Sequence, residues 1–318
     1  MKKIILALLF IVLITACKNS KLEKPTNDTT QTSPLFDKPK VDIKTIGILL
    51  YDGYSTLDAL GPYSVFNELM GTKVFFVGRQ KGTIKDAKGM KIIVDSSIEE
   101  VKHLDILLIP GGFAQTYQAT KDTALLSWIR SIDNTSTYTT SVCTGAWILG
   151  AAGFLKDKDA TTHWWGKKIL ADEYGAKVKN TRFTHSGKYW TSAGISAGID
   201  MSLALINEIR GENYTKTAML DLEYAPQPPF KGGSEDNTDN ALVSQMRRLY
   251  DAGMEMVLHP NTSLKDIKLS TEEDPVCGMK ITGNVADTIL FNGKVFGFCS
   301  VSCKSSFKKS PATFISVK

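Results

Sequence analysis

Cys143 stands where a β-prone run gives way to a small-residue helix start, in Ser141-Val142-Cys143-Thr144-Gly145. A thiol on such a strand-to-helix turn is held exposed above a sheet, often on a strained backbone. The helix N-terminus aims N–H groups and partial positive charge at the sulfur, which predicts a lowered thiol pKa and a nucleophile. A buried structural thiol is the plain alternative. Pro110-Gly111-Gly112 can present a main-chain N–H, at Gly112, free of side-chain obstruction. With the Thr144 N–H it would form an oxyanion cradle. Asp58 sits in the otherwise apolar stretch Leu57-Asp58-Ala59-Leu60-Gly61-Pro62. It reads either as a helix N-cap or as a carboxyl that passes a proton to and from a thiol. His163, in Thr161-Thr162-His163-Trp164, is either structural or a further catalytic group. Trp164, Trp165 and Tyr63 either line a pocket or pack.

A second constellation lies near the C-terminus. Cys277, Cys299 and Cys303 follow the pattern C-x21-C-x3-C. Asn292-Gly293 between two β-prone runs predicts a hairpin, which could bring Cys277 to the other two. Cys299 and Cys303 share a helix face if the helix over Ser302–Phe307 reaches back to Cys299. The segment from Ser270 to Lys318 has only 49 residues, and a core that small usually needs a metal or disulfide staple. Soft thiolates select Cu(I) or Zn(II). Three thiolates suit Cu(I), whereas structural zinc takes four ligands, so the count favours copper. A Cys299–Cys303 disulfide and a purely structural zinc remain the alternatives.

The elements that must position the first constellation are legible. Thr45–Tyr51, Thr72–Val77, Leu104–Ile109 and Thr137–Val142 read as buried strands. Leu57–Met70, Thr123–Ile132, Gly145–Ala152 and Ile195–Ile209 read as helices, and Arg247–Val257 as a last one. Lys177–Phe183 and Lys188–Thr191 read as a hairpin around Ser186-Gly187. Alternating strands and helices predict an α/β fold, a mostly parallel sheet with helices on both faces. Ligands of such sheets bind at the carboxyl ends of the strands. Asp52-Gly53, Pro110-Gly111-Gly112 and Cys143 all lie at such ends and should meet.

The N-terminus reads as an address. Lys2 and Lys3 precede an eleven-residue apolar run, Ile4–Ile14, closed by Thr15, Ala16 and Cys17. That is a secretory signal pattern, too short to span a bilayer, which takes about 20 residues. The stretch to residue 43 is rich in Lys, Thr, Asn, Ser and Pro, as a flexible tether requires.

The chain has 318 residues with 42% hydrophobic and 22% charged, which excludes a disordered or collagen-like chain. Its net charge of +5 falls to +3 without Lys2 and Lys3, too mild to argue for nucleic acid. Five cysteines, an odd number, speak against a full disulfide framework.

Residues 44 to about 245 resemble the ThiJ/PfpI family, a class I glutamine amidotransferase-like, flavodoxin-like fold, in its isonitrile hydratase branch. The carrying motifs are YDGYSTLDALGP (51–62), IPGG (109–112), SVCTGAWILGAAGFL (141–155), TTHWW (161–165), TSAGISAGIDMSLAL (191–205) and EYAPQPPFKGGS (223–234). The resemblance implies Cys143 as nucleophile, Asp58 as acid/base carboxylate and Thr144 orienting the reacting group, with His163 matching the family's histidine. It implies a small-molecule substrate, no cofactor for the α/β domain, and a homodimer. The same module also occurs in regulators with a helix-turn-helix domain, for which this sequence shows no counterpart. Glyoxalase-type relatives use a glutamate where Asp58 stands. The segment DPVCGM, NGKVFGFCS and CKSSFKKSP resembles a YHS domain, which implies heavy-metal binding at Cys277, Cys299 and Cys303. Cys17 resembles the lipidated cysteine of a bacterial lipobox, which implies lipidation, a membrane anchor and an extracytoplasmic place in the cell envelope. The expected organisation is a signal peptide (1–16), lipidated tether (17–43), ThiJ/PfpI-like domain (44–258) and YHS domain (271–318).

Overall fold

The computed structural model describes residues 38–258, 269–281, 285–292 and 294–315. The expected signal peptide, Cys17 and most of the tether lie outside the described residues.

The first strand, β1 (Thr45–Leu50), leads into α1 (Thr56–Phe66), β2 (Lys73–Gly78), a hairpin of β3 (Gly82–Lys85) and β4 (Lys91–Val94), and a short β5 (Ser96–Ser97). Next come β6 (Ile106–Ile109), α2 (Ala114–Ala119), α3 (Thr123–Asp133), β7 (Tyr138–Val142) and α4 (Gly145–Ala151). Then follow β8 (Asp159–Ala160), α5 (Lys167–Tyr174), β9 (Lys177–Val178), β10 (Phe183–Ser186), β11 (Tyr189–Ser192), α6 (Ile195–Arg210), α7 (Glu212–Asp221) and α8 (Asn240–Leu258). Seven strands form one sheet in the order β10-β11-β7-β6-β1-β2-β5. Every pairing is parallel except β10 with β11.

Both faces of the sheet are covered, which is why β1 and β6 are almost continuously apolar. On one face Leu49, Leu107 and Ile109 pack with Ile129 of α3 and with Ala146, Trp147 and Ile148 of α4. On the other, α1 lies against β1 and α6 against β7, β10 and β11. A Cβ on Gly198 of α6 would meet Val142 Cγ1 at 2.8 Å, so glycine lets that helix seat on β7.

Three expectations change. The first helix ends at Phe66 rather than Met70. The buried Tyr214 hydroxyl donates to the Glu68 carbonyl at 2.5 Å and accepts the Met70 N–H at 2.9 Å, so a distant side chain replaces the helical bonds. The expected hairpin over Lys177–Thr191 divides. Only β10 pairs with β11, turning at Gly187 (φ +60), while β9 pairs in parallel with β8. The final helix begins at Asn240, one to two turns before Arg247.

The C-terminal segment forms the hairpin β12 (Asp287–Phe291) and β13 (Lys294–Phe298), then α9 (Val301–Lys309) and α10 (Pro311–Ile315). Asn292 takes the left-handed conformation of the tight turn (φ +51). Phe296, Phe298 and Phe307 make its small core.

Candidate active site and cysteine cluster

Cys143 caps β7 with φ +56, a left-handed backbone that a non-glycine residue adopts at a cost of about 1–3 kcal/mol. Several bonds hold it there. Its N–H donates to the Ser192 carbonyl at 3.0 Å. Its carbonyl accepts from the Thr162 hydroxyl at 2.7 Å. A Cβ on Gly145 would sit 2.2 Å from the Ile109 carbonyl oxygen, so only glycine lets α4 start this close to β6.

Asp58, in the first turn of α1, is fully buried (0% exposed). It is no N-cap; Ser55 holds that position, without a side-chain bond. Neither carboxylate oxygen makes a hydrogen bond of ordinary geometry, although the Cys143 thiol, Ser55 and the Gly111 main chain lie near enough to act on it. Burial pushes its carboxyl up to about 6, with Cys143, Ser55 and the Gly111 main chain pulling the other way. Burial, then the Asp58 charge, pushes the Cys143 thiol well above its ordinary range, against the Thr144 N–H and hydroxyl. This reverses the expected lowering by the helix N-terminus: desolvation and a facing carboxylate outweigh the dipole. At neutral pH the resting pair is therefore a thiol beside a carboxylate.

Thr144 is tied inward. Its hydroxyl donates to the Gly112 carbonyl at 2.7 Å and accepts the Gly112 N–H at 3.1 Å. The Thr116 hydroxyl lies 3.3 Å away and is itself 2.8 Å from the Tyr51 hydroxyl. The expected oxyanion cradle is thus corrected. The Gly112 N–H is spent on Thr144, and the Thr144 N–H faces the sulfur.

Asp58, Gly112, Cys143, Thr144 and His163 all border one cavity of about 820 Å³. His163 is driven to about 4, first by burial and then by Lys167, so it is neutral. Trp164 and Trp165 line the cavity, whereas Tyr63 stacks on Phe76 at 4.9 Å. Sequence reasoning missed Tyr250, which stacks on Trp165 with centroids 5.3 Å apart. It also missed Thr162 and the Asp86–Lys88 turn; Asp86 bonds the Thr56 hydroxyl at the head of α1. No motif pointed to Tyr250. Thr162 was visible inside TTHWW, but its role depends on a partner nineteen residues away.

In the C-terminal segment the expected convergence occurs. Cys277 and Cys299 Sγ are 3.4 Å apart, and Cys299 and Cys303 Sγ 3.7 Å. All three are free thiols. The helix does not reach Cys299: Ser300 caps α9, its hydroxyl accepting the Cys303 N–H. The buried Asp274 joins them, one ligand atom from each of the four lying within 4.8 Å of the rest. Sequence reasoning missed it, although the acidic residue of DPVCGM was the available signal.

A parallel α/β sheet carrying a cysteine on a strained elbow, with a buried carboxyl against it, defines a class of thiol-centred α/β proteins. The family profile described as DJ-1/PfpI family matches residues 44–208. The chain belongs to the DJ-1/PfpI family. It is 37% identical over 203 residues to an isonitrile hydratase of Pseudomonas putida, covering 64% of this chain and 88% of that one. It is 29% identical over 169 residues to CdhR, an HTH-type transcriptional regulator of Pseudomonas aeruginosa, covering 51% of this chain and 50% of the regulator. A ThiJ/PfpI family crystal structure from Pseudomonas syringae superposes with a TM-score of 0.67 at 29% identity, over 75% of this chain and 97% of that one.

Proposed function

We propose that the α/β domain is a cysteine hydratase, adding water to isonitriles or related small electrophiles to give N-substituted formamides. The observation that carries this is the fully buried Asp58 carboxyl, with no countercharge beside it among the described residues, facing the Cys143 thiol. An attacked isonitrile carbon develops its charge on carbon and needs a proton there. A carbonyl substrate would need paired N–H donors for an oxyanion, and Gly112 has spent its N–H on Thr144.

The proton count closes. Asp58 takes the Cys143 proton as sulfur bonds to the terminal carbon, then hands that proton to the carbon, leaving an enzyme-bound thioimidate. Water adds across the C=N bond, its oxygen to carbon and one hydrogen to nitrogen. The C–S bond then breaks, the hydroxyl proton returns to sulfur through Asp58, and the formamide leaves. Thr144 anchors the elbow against Gly112, and neutral His163 forms cavity wall. No cofactor takes part.

The test is incubation with cyclohexyl isocyanide. Formamide that disappears in Cys143→Ala supports the reading; a folded, reduced protein giving no product overturns it.

We also propose that Cys277, Cys299 and Cys303 hold a soft metal ion, Cu(I) or Zn(II), in a YHS-like domain. Three free thiols with neighbouring sulfurs 3.4 and 3.7 Å apart fit such an ion, which would act there as a staple for a small core. This cluster favours a second reading, a metal-handling lipoprotein whose α/β domain binds a ligand without turnover. The sequence pattern supports lipidation at Cys17 and an extracytoplasmic, membrane-tethered place; incorporation of labelled fatty acid that Cys17→Ser abolishes is its test. A homodimer is proposed on family likeness, for sedimentation analysis to check.

A further inference from the structure

We infer that Asp274 is the fourth ligand of the cysteine cluster, making it a site for a four-coordinate divalent ion such as Zn(II) rather than for three-coordinate Cu(I). The inference rests on reading the cluster as a metal site, and goes beyond it by naming a ligand and choosing the ion.

Asp274 is 1% exposed. A buried carboxylate is costly unless a cation or several hydrogen bonds meet it. Among the described residues no lysine, arginine or histidine side chain pairs with it. Two main-chain groups do: Oδ1 accepts the Val276 N–H and Oδ2 the Cys299 N–H, each at 2.8 Å. An ionised carboxylate offers about four lone-pair sites, so each oxygen keeps one free. These bonds also tie the turn carrying Cys277 and the strand end carrying Cys299 to one side chain. Asp274 therefore pre-forms the site that it completes.

Ligand number and charge then decide the ion. Three sulfurs alone suit Cu(I), and that count favoured copper from sequence. A carboxylate oxygen within 4.8 Å of all three sulfurs brings the ligand count to the four that tetrahedral zinc takes, and carboxylate oxygen is among the ligands zinc accepts. A Zn–S bond of about 2.3 Å places tetrahedral sulfurs about 3.8 Å apart, close to the 3.7 Å between Cys299 and Cys303 and wider than the 3.4 Å between Cys277 and Cys299, which must open by a few tenths of an ångström on binding. Three thiolates and a carboxylate leave more uncompensated negative charge around a monovalent ion than around a divalent one, and that charge is costly at the buried Asp274.

The experiment uses the full-length protein, reduced and freed of metal. Co(II), the spectroscopic stand-in for Zn(II), is titrated first, and its ligand-field absorption reads coordination number. Zn(II) affinity is read by displacement of Co(II), and Cu(I) affinity by competition with a Cu(I) chelator. The expected result is a four-coordinate Co(II) spectrum that Zn(II) abolishes. Asp274→Asn should weaken Zn(II) by more than the about 10–100-fold that loss of an outer-shell partner costs and alter the Co(II) spectrum, with a clearly smaller loss of Cu(I) affinity that reflects only the looser turn. Should that variant misfold, zinc-edge X-ray absorption on the wild-type chain reads the ligand count: three sulfurs and one oxygen are expected, and a shell of sulfur alone overturns the inference. An unchanged Zn(II) affinity in Asp274→Asn, or an equal loss of Zn(II) and Cu(I), overturns the role of Asp274 alone. Failure of the wild-type chain to bind either ion overturns the metal reading and this inference together.

Discussion

The hydroxyl of Thr162 donates to the main-chain carbonyl of Cys143 at 2.7 Å. The acceptor belongs to the residue held at φ +56, and the donor immediately precedes His163 on the cavity wall. One bond therefore links the strained elbow to the segment that faces it. Thr162→Val keeps the shape and removes the donor, leaving a buried carbonyl short of a partner, a loss of about 1–1.5 kcal/mol. If that loss falls on the nucleophile's geometry, turnover and the rate of Cys143 alkylation should drop by about tenfold, and Thr162→Ser should restore both. Unchanged alkylation in a folded Val variant would show the bond to be structural only.

Asp58 sets the pH behaviour. The competent pair is an ionised Asp58 with a protonated Cys143, so kcat/KM should rise with pH through about 6. Asp58→Asn should lower it by about 10²–10⁴-fold and remove the acidic limb. A limb that persists in the variant would assign the titration elsewhere.

The same carboxyl carries a stability cost. Its folded value of about 6 exceeds its ordinary 3.8, so the folded state holds the proton more tightly and stability falls as pH rises between these values. The interval corresponds to about 3 kcal/mol at most. Asp58→Asn, neutral at every pH, should be the more stable protein at pH 7 by about 1–3 kcal/mol, less whatever the amide loses by lacking partners. At pH 4 the advantage should vanish. Urea unfolding at the two pH values checks the sign.

Cys143→Gly should separate strain from chemistry. Glycine adopts positive φ freely, so the variant should gain about 1 kcal/mol of stability while losing all formamide production. Destabilisation instead would mean that sulfur packing outweighs the backbone strain.

Tyr250 forms cavity wall by stacking on Trp165, and Asp251 beside it accepts the Trp165 indole N–H at 2.7 Å. Aromatic pairs contribute about 0.5–1.5 kcal/mol. Tyr250→Ala should therefore raise KM by about three- to tenfold with kcat little changed. A collapse of kcat instead would place the ring at the reacting atoms.

The main sheet and the meeting of Asp58, Cys143 and Thr144 were legible in the sequence. Fully covered parallel strands leave continuous apolar runs, glycines mark close approaches, and strand ends of such a sheet must converge. The spacing of Cys277, Cys299 and Cys303 foretold their cluster for a similar reason, since a hairpin turn is locally encoded in Asn292-Gly293. Tertiary structure alone decided the rest. The end of α1 depends on the Tyr214 hydroxyl, and the fate of the Gly112 N–H depends on the Thr144 side chain. The order of the two pKa values in the active pair depends on how deeply both groups are buried. Asp274 joins the cysteines only because the turn and the hairpin fold onto it. Local pattern records which residues can do chemistry; desolvation and long-range hydrogen bonds, which no local pattern carries, set which atom holds the proton and which side chains meet.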